Sequence, residues 1–127
     1  MVVCVGGLAL AGSAAPSPAA QASCVKVFER QRACTDTFIP ALVDLRVSLD
    51  KPAGIAASVK KDGRDAMISA ALEEWKSDST DAAIAKTCAS MPAARATAMS
   101  STEKCLDAAN CQAFSECLIP LMRSTMR

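Results

Sequence analysis

The sequence predicts an all-α fold, a small disulfide-stapled bundle of five or six helices. Three observations carry that prediction: apolar residues recur at helical spacing, no window alternates as a strand does, and six cysteines follow an uncharged apolar leader. Aromatics make up 3% of the residues, with no tyrosine, so alanine and short aliphatics must fill the interior. Such a core buries little area per side chain, and a chain of 127 residues has reason to add covalent staples.

Residues 1–25 carry no charge, and all fourteen basic and thirteen acidic residues lie at or beyond Lys26. The apolar and small-residue run is broken by Pro16 and Pro18 and followed by Ala20-Gln21-Ala22, a small-x-small site of the kind signal peptidase cuts. Residues 1–22 therefore read as a cleaved signal peptide and residues 23–127 as one helical disulfide-rich domain. The run is too short for a membrane span, which needs about 20 apolar residues, so no span is expected after cleavage. Ala22-Ser23-Cys24 also resembles the end of a lipoprotein signal, which makes an envelope lipoprotein anchored at Cys24 the alternative. Cleavage after Ala22 leaves six cysteines, an even set, and favours the unlipidated form, periplasmic or extracellular.

Residues 24–49 place Cys24, Val27, Phe28, Cys34, Phe38, Leu42, Leu45 and Leu49 on one helical face. Arg32 with Asp36 and Arg46 with Asp50 form opposite charges four apart on the wet side. Pro40 predicts a kink or restart, and the segment from Asp50 to Gly54 ends the helix. A short helix follows at 55–61. Asp62 reads as N-cap for a helix over 63–77, whose buried stripe is Met67, Ile68, Ala71, Leu72 and Trp75. Thr80 reads as the cap of a helix over 81–91, limited by Pro92. Ser100 to Glu103 has the capping-box form and opens a helix through Cys105 and Leu106, and Asn110 caps a last one from Cys111 until Pro120.

Disulfide expectations follow from this layout. Cys24 and Cys34 lie about 15 Å apart along one helix, too far to bond each other. Each is expected to reach the C-terminal part, Cys24 to Cys117 and Cys34 to Cys111. A hairpin of the 81–91 helix against the one opened by Ser100 then pairs Cys88 with Cys105.

The chain has no histidine, which removes His-dependent hydrolases and imidazole metal sites. Carboxylate pairs such as Glu73-Glu74, Glu103 with Asp107, and Asp62 with Asp65 read as caps and solvated faces, and no Cys-x-x-Cys marks a zinc or redox site. A net charge of +1 with interspersed signs argues against nucleic acid. The function expected is non-enzymatic binding of a partner protein or a small apolar ligand, without cofactor or metal, a periplasmic redox or metal-handling protein being the alternative. Trp75 is the chain's lone tryptophan; its spacing reads as core, and an interface role is the other possibility.

Overall fold

The computed structural model describes residues 16–127. Among these residues the chain is all-helical, with seven α-helices and one 3-10 helix: α1 Pro18–Ala33, α2 Thr35–Leu49, α3 Ile55–Asp62, α4 Arg64–Asp78, α5 Asp81–Ala89, α6 Ala93–Ser100, the 3-10 helix Glu103–Asp107, and α7 Cys111–Met126. The larger part of the expected signal segment, residues 1–15, lies outside them.

Helix α1 starts where Ser17 Oγ accepts from the Ala20 amide at 3.1 Å, with Pro18 at its first position. The expected break at Pro40 falls instead at Cys34, whose backbone (φ −107°, ψ 24°) ends α1 and opens α2. Pro40 sits early in α2 and deprives only the first-turn carbonyl of Asp36 of its helical amide, a cost the helix absorbs. Tertiary contacts decide where the bend falls. Helix α1 packs on α5, α6 and the 3-10 helix, whereas α2 packs on α3, α4 and α7, so the two halves diverge at their joint.

Asp50 ends α2 in the left-handed region at φ 48°, and its carboxylate accepts from the amides of Gly54 and Ala56, which positions α3. Asp62 is the last residue of α3 and does not cap α4. The turn is made by Gly63 at φ 95°, a conformation that glycine adopts without strain. Arg64 then grips Asp44 of α2 through Nε and Nη2 at 2.8 and 3.0 Å, tying α4 to α2. Thr80 and Asn110 cap as expected, accepting from Ala83 N at 3.1 Å and Ala113 N at 2.8 Å.

The capping box at Ser100 does not form. Ser101 Oγ and Thr102 Oγ1 donate backward to the Ala98 and Met99 carbonyls, each at 2.6 Å, so these hydroxyls finish α6 rather than open a new helix. Glu103 accepts instead from the buried Ser23 Oγ at 2.8 Å. The helix count exceeds expectation because the first long helix divides at Cys34 and the stretch after Pro92, expected as a linker, forms α6.

Two cores result. One joins α1, α5 and α6 through Cys24, Ile84, Cys88, Met91 and Ala96, and the other joins α2, the 3-10 helix and α7 through Cys34, Phe38, Ile39, Val43, Cys105, Phe114 and Leu118. Disulfides run through both: Cys24–Cys88, Cys34–Cys111 and Cys105–Cys117, with Cα separations of 5.7, 5.3 and 5.6 Å. The expected Cys88–Cys105 pair is corrected because α6 occupies the presumed linker, and α1, packed on α5, brings Cys24 to Cys88. The expected Cys24–Cys117 pair is corrected with it, since the 3-10 helix lies against α7 and gives Cys117 its partner in Cys105.

The bond expected to be cut, after Ala22, lies inside α1. Cys24 is 1% exposed and its sulfur is bonded to Cys88, so the sulfur a lipid anchor would need is already in use. No helix among the described residues is long and apolar enough to cross a membrane.

Candidate functional site

Trp75 reaches its place through α4, whose apolar stripe of Met67, Ile68, Ala71, Leu72 and Trp75 lies on the second core. No residue of α4 is fully buried, so the helix covers the core as a half-exposed layer. Near its end the indole reaches the joint between α1 and α2. There Nε1 donates to Thr35 Oγ1 at 2.9 Å, and that hydroxyl donates to the Arg32 carbonyl at 2.7 Å. Phe28 stacks on the indole at 6.5 Å between centroids, Phe38 meets it tilted at 6.3 Å, and Phe114 follows Phe38 at 6.5 Å. All four aromatic side chains of the sequence therefore form one row across the two cores, at separations where aromatic pairs attract. The Arg30 guanidinium closes the far end, 5.4 Å above the Phe114 ring, while its Nη2 donates to the Ala108 carbonyl.

Beside Trp75 the surface opens into a groove of about 400 Å³ between the start of α2 and the outer side of α4. Leu72 and Trp75 supply its apolar lining, Thr35, Ser69 and Ser79 its hydroxyls, and Asp36, Glu73 and Lys76 its charges. The charges are not arranged as helical spacing alone predicts. The break at Cys34 carries Arg32 away from Asp36, and Arg32 Nη1 donates to the Ser79 carbonyl at 2.8 Å and to Asp81 Oδ1 at 2.7 Å. Lys76 pairs with Glu73 at 3.1 Å, both largely exposed. Among the described residues, Asp36 has no ion pair and its carboxylate no hydrogen bond.

A second groove, of about 360 Å³, lies between α2 and α7 beside Thr37, Ala41, Ser115, Ile119 and Pro120. Ser115 is 4% exposed, and its hydroxyl has no hydrogen-bond partner among the described residues. Pro120 has no amide hydrogen to offer the Glu116 carbonyl, so a second polar atom on this part of α7 lacks its helical bond.

The expected carboxylate pairs do not assemble into an acid–base centre. Glu73 faces Lys76, Glu103 takes the Ser23 hydroxyl, and Asp62 and Asp65 lie on different helices. No three His, Cys, Asp or Glu side chains among the described residues converge to hold a metal. Of the residues singled out from sequence, Trp75, Leu72, Glu73 and Asp36 line the larger groove; Asp36 and Ser79 join it only through the bend at Cys34, which no local motif marks. Compared with known proteins, the chain matches no family model, no curated protein and no solved structure.

Proposed function

We propose that the chain is an exported, non-enzymatic binding protein, held by its disulfides, whose ligand site is the groove beside Trp75 and whose ligand is a small molecule with an apolar body. One observation carries the reading. The lone tryptophan satisfies its N–H internally through Thr35 yet stays half-exposed in a groove, so what it offers to a ligand is ring surface, continued by Leu72. A volume of about 400 Å³ falls at the lower end of the ~300–1,000 Å³ range of small-molecule pockets and favours a small ligand over a protein partner. Export is supported by the uncharged leader and by three disulfides, which persist in oxidising compartments. A binding role is supported by the lack of histidine and by the engagement of the six cysteines from Cys24 to Cys117 in disulfides.

Native mass spectrometry of the protein purified from its own host tests the reading. A non-covalent small-molecule adduct, lost on Trp75→Ala, is the expected result. An adduct that persists in Trp75→Ala places the site elsewhere, and a mass beginning upstream of Ser23 argues against removal of residues 1–22.

A further inference from the structure

We infer that the groove beside Trp75 selects organic cations, an ammonium group carried on a short apolar body, over neutral or anionic molecules of the same shape. The inference rests on the reading of this groove as a ligand site and adds the chemical class.

The argument starts from a broken pair. Arg32 and Asp36 stand four residues apart and would neutralise each other on an unbroken helix. The chain instead bends at Cys34, and Arg32 turns to the Ser79 carbonyl and Asp81. Asp36 is left as a carboxylate at the rim of an apolar groove with no cation of its own among the described residues. Across from it, Glu73 shares its charge with Lys76 through an exposed contact, the kind that contributes little and exchanges readily with water. The lining therefore carries two carboxylates against one ammonium, beside an indole and a leucine. A bound ammonium would find Asp36 unpaired and, with the adjacent ring, the combination by which aromatic sites recognise amines. An anion of the same shape would meet Asp36 and Glu73 with a single lysine to offset them.

The experiment uses the full oxidised protein and three probes with one tail: hexylammonium, hexanol and hexanoate. Trp75 is the chain's lone tryptophan, so its fluorescence reports the groove directly, and calorimetry gives the dissociation constants. Hexylammonium is expected to bind about 3- to 30-fold tighter than hexanol, the range for one exposed cation–π contact plus one exposed ion pair, and hexanoate more weakly than either. Asp36→Asn should remove the ion-pair part of that advantage, leaving the part due to the ring, and leave hexanol itself unchanged. On the unaltered protein, about 1 M salt should remove the same part of the advantage, which keeps the test independent of how well the variant folds. Hexanol or hexanoate binding as tightly as hexylammonium overturns the cation inference and leaves the groove a ligand site. A Trp75 signal that none of the three probes moves overturns both.

Discussion

Trp75 is bonded to Thr35 across the bend between α1 and α2: the indole N–H donates to a hydroxyl that itself donates to the last turn of α1. One side chain from α4 thus closes the joint where the first long helix divides. Thr35→Val keeps the shape and removes both bonds. Water can reach part of the site, so the expected cost is about 1 kcal/mol rather than the upper end of the range for a stranded donor. Thermal unfolding followed by circular dichroism should show Tm lower by several degrees. An unchanged Tm would mean that packing alone fixes the joint.

The same joint marks how far the sequence could be read. The helical class, the caps at Thr80 and Asn110 and the apolar stripe of α4 follow from local chemistry, because spacing and capping are properties of a few neighbouring residues. The bend is different. Pro40 is the visible breaker, yet the chain turns at Cys34, because α1 and α2 pack on different helices and Cys34 is bonded to Cys111. Asp36 belongs to the groove only because of that bend, so periodicity assigned it to an ion pair with Arg32. Ser100 to Glu103 misled for a related reason: Ser101 and Thr102 had carbonyls behind them to bond as well as amides ahead, and only the packing of α6 on α1 decides between these.

Disulfide pairing gives a second prediction. Non-reducing peptide mapping should recover Cys24 with Cys88, Cys34 with Cys111, and Cys105 with Cys117. Replacing Cys24 and Cys88 together by alanine opens a loop spanning 64 residues, and replacing Cys105 and Cys117 opens one spanning 12. In the chain-entropy model these crosslinks contribute about 4 and about 3 kcal/mol respectively. The first double variant should therefore unfold at the lower temperature. The reverse order would show that native-state contacts of the 3-10 helix outweigh loop length.

The ion pair between Asp44 and Arg64 predicts a pH dependence. The Arg64 guanidinium, hydrogen-bonded to the carboxylate, holds Asp44 below its usual value of 3.8, with partial desolvation working against it and the charge of Arg64 adding to it. A carboxylate whose folded pKa is lowered stabilises the fold fully above its ordinary value, and that contribution disappears as pH falls through the lowered one. Arg64→Gln should thus lower Tm at about pH 6, and the difference from the unaltered protein should shrink below about pH 4. Both side chains are at least half exposed, so the effect is small and should weaken with salt. A difference that stays constant down to low pH would assign the loss to packing of the arginine stem instead.

The hydroxyl of Ser115 supplies the last prediction. Ser115 lies on the side of α7 that meets α2, is 4% exposed and finds no hydrogen-bond partner among the described residues, although a helical serine commonly bonds the carbonyl four residues back. A buried hydroxyl stripped of water and given nothing in return costs roughly 1–3 kcal/mol. Alanine keeps the Cβ, adds no volume and raises helix propensity by a few tenths of a kcal/mol. Ser115→Ala is therefore expected to stabilise the protein by about 1 kcal/mol, against the usual direction for substitutions in a core. Ser115→Val tests the alternative that the site merely tolerates change: with Phe114 and Leu118 already fully buried on either side, extra methyl groups should overpack the seam between α2 and α7 and lower Tm. Guanidinium unfolding curves of the two variants check both signs at once. If Ser115→Ala destabilises instead, the hydroxyl makes a bond to water in solution, and the groove between α2 and α7 holds an ordered molecule that the fold depends on.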